Sequence, residues 1–284
     1  SALGDQLGRV GELVFTSGGS EADALGVLGA ARARARAGKK IAILATEHPA
    51  VLGAGTQLAG EGFSVTQVPV DPSGHATPEA VADACGPDTI LLCCMLVNNE
   101  LGTITDVATL AAHTRRRSPN LHVHCDAVQA LGKLTIDAPA LGVDTLAVSS
   151  HKLYGPKGVG ALWLKKGTRL TPLFSGGGQQ GGLRSGTENV PGIAGFARAA
   201  LLADEHLAES RAHVEALGAR LLALLADAGL DVRVHGGAPR VPHILSLGFA
   251  GVPAEPLLHA LEADGVFVSA GSACTAGHVA PSPV

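Results

Sequence analysis

The stretch "AVSSHKLYGPKGVGALW", Ala147 to Trp163, decides the fold. Its first residues read as an apolar strand, two serines and a histidine lead into Lys152, and glycines at 155, 158 and 160 precede a second apolar run. A lysine at the end of a buried strand is costly unless it is paired or chemically used. Taken alone, it reads as a strand-end side chain turned to solvent. Outward from this stretch, apolar runs alternate with helical periodicity. The expected strands are 13–16, 41–45, 64–68, 89–96, 121–125, 145–149 and 161–164. The expected helices are 21–37, 50–59, 78–84, 107–116 and one long helix over 190–228. Continuous apolar strands alternating with helices predict an α/β fold, with a mainly parallel seven-stranded sheet covered by helices on both faces. Reactive groups in such sheets gather at the carboxyl ends of the strands.

After Ala228 the pattern changes. "DVRVHG", "HILSLGF" and "VFVSAG" read as strands around a helix over 254–263, a partial smaller α+β domain. The expected division is a large domain over 1–207 and a small one over 208–284.

Composition narrows the function. The chain has 284 residues, 46% of them hydrophobic and 16% charged, enough apolar material for a packed core and too few charges for a disordered tail. A net charge of -4 supplies no global field to recruit nucleic acid or an anionic membrane. The basic stretches Arg32 to Lys40 and Arg115 to Arg117 fall near helix ends, where solvated cations belong. No apolar run spans a bilayer, and no secretory signal is visible. The five cysteines, Cys85, Cys93, Cys94, Cys125 and Cys274, form no C-x-x-C pair, so no metal site is expected. An odd cysteine count fits a reducing, cytoplasmic setting. Four cysteines fall on expected strands or helices and read as buried, inert thiols. Cys274, in "SAGSACTAGH", stands among small residues that have little to pack and reads as part of a mobile loop.

Three stretches carry chemistry. In "FTSGGSEADALGV" a strand ends in Gly18 and Gly19, and Ser20 precedes a helical run. Free N–H groups at a helix start bind phosphate. Taken alone, the stretch reads as an ordinary cap, with Ser20 and Asp23 as a local capping pair. In "HVHCDAVQALGK" Asp126 follows a strand, with Gln129 at helical spacing; Asp126 alone also fits a cap. Lys152 completes the set. A phosphate cradle, an aspartate and a lysine at strand ends are the parts a pyridoxal phosphate site requires: the lysine holds the aldehyde, and the aspartate keeps the ring nitrogen protonated.

The ordered set "FTSGGSEAD", "TEHPAVL", "VNNELGTI", "HCDAVQALGK", "SSHKLYGPKGVGAL", "GGGQQGGLRSGTENV" and "SAGSACT" resembles the cysteine desulfurases of the class V aminotransferase group, in the branch serving iron–sulfur clusters and tRNA thiolation. The resemblance implies pyridoxal phosphate fold type I and a homodimer. It implies that Lys152 anchors the cofactor, Asp126 pairs with its ring nitrogen, and His48 stacks on the ring and serves in proton transfer. Asn99 and Gln129 would bond the 3-oxygen region; Gly19, Ser20, Ser149 and His151 would bind the phosphate. Thr187 would reach the phosphate of the neighbouring subunit. Cys274 would take the sulfur of L-cysteine and pass it to a scaffold or carrier protein.

Relative to that family, the chain begins after an N-terminal segment and ends before the part carrying an arginine for the substrate carboxylate; no residue after Cys274 takes that role. Gln179, Gln180 and Gly181 stand where a His-Glu-Arg run is common, and Ser20 replaces threonine. Other readings of the same residues are another class V enzyme, an aminotransferase or selenocysteine lyase, or an impaired homologue acting as a scaffold.

Overall fold

The computed structural model describes residues 2–8, 11–271 and 284. Its elements run α1 (Ala2–Gln6), β1 (Glu12–Thr16), α2 (Gly19–Arg34), β2 (Lys40–Leu44), α3 (Pro49–Gly60), β3 (Ser64–Val68), α4 (Pro78–Ala84), β4 (Thr89–Cys93), α5 (Val107–Arg115), β5 (His122–Asp126), α6 (Ala138–Leu141), β6 (Thr145–Ser149), β7 (Gly160–Leu164), α7 (Val190–Glu205), α8 (Leu207–Asp227), β8 (Val232–His235), β9 (Ser246–Phe249) and α9 (Ala254–Ala263).

Seven strands form one sheet in the order β1-β7-β6-β5-β4-β2-β3. From β6 to β3 neighbouring strands are parallel. β7 runs antiparallel to both its neighbours, β1 and β6. β1 therefore points the same way as β6, and β7 is the one reversed strand of this sheet among the described residues. The carboxyl ends of β1, β6, β5, β4 and β2 all lie along one edge. Gly160 opens β7 at that edge, opposite both Thr16 and Ser149.

The burial follows from side-chain pattern. Every residue of β4, β5, β6 and β7 is buried, as expected of strands covered on both faces, while β3 at the sheet margin exposes three of its five residues. α2 lies close against the sheet because it is built from small residues: Ala22, Gly26, Ala30 and Ala31 are all buried. A methyl group at Gly26 would stand 2.4 Å from the His124 ring, so only glycine lets helix and strand approach this closely.

Two expectations are corrected. The single helix over 190–228 is two helices, α7 and α8, separated at His206. Neither glycine nor proline stands there, so nothing in the sequence announces the break. "VFVSAG" forms no strand: residues 266–271 are irregular, and Phe267 is exposed. β8 and β9 pair only with each other among the described residues, and an extended run without a partner ladder gains no hydrogen bonds from becoming a strand.

Candidate active site

A cavity of about 130 Å³ opens at the carboxyl edge of the sheet. Gly19, Ser20, His48, Asn99, Asp126, Gln129, Ser149, His151 and Lys152 line it, nine positions brought together from five separate parts of the chain. A larger cleft of about 380 Å³ lies between α1, the 131–137 turn and α7, but its lining offers neither lysine, histidine nor cysteine.

Each wall has a local cause. α2 begins at Gly18 with no side-chain cap, so its first N–H groups lack an intrahelical acceptor. A Cβ at Gly19 would fall 2.8 Å from Val128 Cγ2, so any larger residue there would push Val128 aside. His48 caps α3: its Nδ1 accepts the Ala50 N–H at 3.1 Å, with Pro49 setting the first turn. That bond leaves the proton of the neutral ring on Nε2. Burial holds the imidazole below its usual range; Asp126 opposes this and Lys152 adds to it.

Asp126, the last residue of β5, is buried, and its Oδ1 accepts the Val128 N–H at 2.8 Å. Burial and then the neighbouring Asp23 push its carboxyl up to about 7, against the pull of Val128 N–H, His48 and His124. Ser149 ends β6, and its Oγ lies 2.9 Å from His151 Nδ1. Lys152 sits on the tight turn Ser150–Leu153, half-buried. No hydrogen bond or ion pair engages its ammonium among the described residues. Tyr154 closes the turn with a left-handed φ of 61°.

Thr187 is exposed and does not line this cavity. Cys274 lies outside the described residues. The other four cysteines are buried. Burial pushes the Cys85 thiol up to about 11 and raises Cys93, Cys94 and Cys125 as well, so none is a ready thiolate.

The sequence reading missed several members of the site. Asp23 is not a helix cap: it is buried, lines the cavity and meets His124. The available signal was its place among the small residues of the buried face of α2, four residues after Gly19 and three before Gly26. Met95 and Val128 also line the cavity. Asn98, rather than Asn99, turns the chain after β4: its Oδ1 accepts the N–H groups of Glu100 and Leu101, and its Nδ2 donates to Thr46 O. Asn99 is thereby left to face the cavity.

Three buried carboxyls stand close to this edge. Asp23 is pushed up to about 8 and Glu47 well above its ordinary range, both chiefly by burial. The folded chain thus binds protons that the unfolded chain has already released, and stability is lost as pH rises through these values. The depressed histidines, His122 and His124, work in the opposite sense, but only below about pH 6.5 where the unfolded chain takes up its protons. The ligand-free chain should therefore lose about 2 kcal/mol of stability between pH 7 and 8. Thermal unfolding at the two pH values checks this; an unchanged or rising Tm would mean that the carboxyls are already ionised at pH 7.

The chain matches the aminotransferase class-V family model over residues 8–282 and belongs to that family. A cysteine desulfurase of Bradyrhizobium diazoefficiens is 41% identical over 273 residues, covering 96% of this chain and 69% of its own length. The cysteine desulfurase IscS of Clostridium botulinum is 39% identical over 276 residues, with the same coverage on each side. Among solved structures, a NifS-like protein superposes with a TM-score of 0.90 at 36% identity, over 94% of this chain and 73% of that one. No helix among the described residues is long and apolar enough to cross a membrane.

Proposed function

We propose that the chain is a pyridoxal phosphate-dependent L-cysteine desulfurase, converting L-cysteine to L-alanine and passing the sulfur through Cys274 to an acceptor protein. The observation that carries this reading is the meeting, in one cavity, of an uncapped helix start, a buried aspartate at a strand end and an unpaired lysine. The donor set fits the cofactor. Lys152 would hold its aldehyde, Asp126 its ring nitrogen, and Asn99 and Gln129 its 3-oxygen side. Gly19, Ser20, Ser149 and His151 would hold its phosphate, with Thr187 reaching the phosphate of the second subunit of a homodimer. Pyridoxal phosphate, when bound, supplies an electron sink for the bond changes at the substrate's α carbon.

The chain's own groups supply the rest. Asp126 keeps a negative charge beside the ring nitrogen and so favours a proton there. Lys152 Nζ, at the cavity wall, would be the base that moves the α proton. His48 Nε2 is a second proton carrier, since its Nδ1 is committed to Ala50. Cys274, as thiolate, bonds to the substrate sulfur; the carbon–sulfur bond breaks, its electron pair stays with carbon, and protonation there leads to alanine while the persulfide remains on Cys274. The other four cysteines are too buried and too weakly acidic to take that part.

The test is to supply L-cysteine with a reductant and measure alanine and sulfide together. Equal yields in the parent protein, lost in Cys274→Ala, are expected. A Cys274→Ala protein with full turnover would replace this reading with transamination. A protein that never develops a cofactor absorption band would replace it with a scaffold.

A further inference from the structure

Behind Asp126 stands a second carboxyl to which the proposed cofactor site assigns no task. Asp23 projects from α2, is 1% exposed and borders the same cavity. One donor atom from each of Asp23, His48 and Asp126 lies within 4.8 Å of the other two. Asp23 Oδ1 is 3.2 Å from His124 Nε2. On the other side of that ring, His124 Nδ1 is 3.0 Å from Thr145 Oγ1, and Thr145 Oγ1 is 2.8 Å from His122 Nε2. His122 Nδ1 has no partner, and all four residues are buried.

This line has two consistent proton arrangements. With Asp23 ionised, His124 Nε2–H donates to it, the Thr145 hydroxyl donates to His124 Nδ1, and His122 Nε2–H donates to the hydroxyl. With Asp23 protonated, its O–H donates to His124 Nε2, His124 Nδ1–H donates to Thr145, and Thr145 donates to His122 Nε2. A hydroxyl carries a single proton, so reversing one bond reverses the whole line. An Nδ1–H tautomer of His124 leaves Nε2 as an acceptor, and so marks an Asp23 that carries its proton and donates it to the ring.

We propose that Asp23 is a positioning residue which, held by His124, keeps its proton at neutral pH and so leaves Asp126 as the charged member of the pair facing the ring nitrogen. The inference rests on the function proposed above and deepens it. Two carboxyls this close in a dry pocket do not both ionise cheaply, and they titrate as a pair. Asp126 is the better anion because its Oδ1 accepts the Val128 N–H and His48 stands beside it, whereas Asp23 meets only the neutral His124 ring and burial raises its carboxyl with no compensating charge. Burial holds His124 down at about 4, so its ring is neutral and its contact with Asp23 is a hydrogen bond rather than an ion pair.

The groups facing the pair from the packed elements agree with this. Glu47, from the turn before α3, is buried and raised out of its charged form. Cys93 from β4, the adjoining Cys94 and Cys125 from β5 are raised thiols and neutral. Lys152 acts on the pair through His48, and Arg34 and Arg115 act on His122. One negative charge on Asp126 is then matched by the cations and dipoles at the cavity.

The experiment uses the holoenzyme without substrate, labelled with 15N-histidine and titrated from pH 6 to 9, beside Asp23→Asn. In the parent protein, His124 should be the Nδ1–H tautomer at pH 7 and convert to Nε2–H near pH 8. Asp23→Asn has no carboxyl to ionise at this position, so the His124 tautomer should not change between pH 6 and 9. Without the anion that Asp23 supplies at high pH, protonated forms of the cofactor are less favoured. The midpoint of the pH-dependent visible absorption should then fall by roughly half a unit or more. An Nε2–H tautomer at pH 7 in the parent protein would overturn the proposal, as would an unmoved absorption midpoint in the variant. The parent titration needs no variant, so a misfolded Asp23→Asn leaves the proposal open to refutation. Absence of any visible band would defeat the cofactor reading instead, and the His124 tautomer would still decide the state of Asp23.

Discussion

Replacing Lys152 with alanine is expected to cut turnover of L-cysteine by about 10³-fold or more, because one side chain serves as both cofactor anchor and proton carrier. The fold should survive. Lys152 is half-buried, has no hydrogen bond or ion pair among the described residues, and occupies a turn whose backbone is held by neighbours: Ser150 N–H donates to Val159 O, and Gly155 N–H to Ser150 O. The change in stability should stay within about 0.5 kcal/mol. Removing the ammonium also removes a charge that depresses His48 and His151, so both imidazoles should titrate higher in the variant. Histidine NMR and thermal unfolding of Lys152→Ala separate these outcomes. Retained turnover would show that the lysine is not the anchor, and a collapsed Tm would show that it is structural.

Gly160→Ala should damage both the fold and the site, although the residue carries no functional group. A Cβ at position 160 would meet the backbone of Gly18, 2.6 Å from its carbonyl carbon and 2.8 Å from its Cα and oxygen. Backbone cannot swing aside as a side-chain tip can. Gly160 is paired with Thr16 on one side and Ser149 on the other, so β7 has no room to yield. The strain must appear as a displaced start of α2, costing about 1–3 kcal/mol. That displacement moves the N–H groups proposed to hold the phosphate, and cofactor affinity should fall about tenfold or more, since a small misplacement is expensive at such sites. Gly53→Ala is the matched control. Gly53 is exposed within α3, nothing lies within 4 Å of a Cβ there, and alanine should stabilise the helix by up to about 1 kcal/mol. Cofactor titration and thermal unfolding of the two variants test the argument. Equal behaviour would mean that α2 has more freedom than this packing shows.

The proposed dyad and these glycines share a cause. α2 lies against β5 and β6 at a distance only small residues allow, and that closeness brings Asp23 to His124 and the helix start to the sheet edge. In such packing, a methyl group on one face and a proton on the other both bear on the same cavity.

Much of this was legible in the linear sequence, for a physical reason in each case. Short continuous apolar runs such as "TILLC" fit strands covered on both faces, and their alternation with helical segments leads to a mainly parallel sheet. Reactive side chains at strand ends then fall on one edge, which is why the linear sequence already groups Asp126, Ser149 and Lys152. Other features belong to the tertiary structure alone. That β1 joins the sheet beside the reversed β7, bringing the Gly18 turn next to Ser149, depends on pairing between residues far apart in the chain. Asp23 looked like a cap because capping is a local pattern; its partner His124 is 101 residues away, and only the packing of α2 on β5 makes them neighbours. The helix break at His206 and the unpaired run after Val266 likewise left no local mark, because whether a segment continues or pairs is decided by what packs beside it. Sequence determined which groups are present and which edge they share. Tertiary packing decided which of them are dry, and therefore which carry charge.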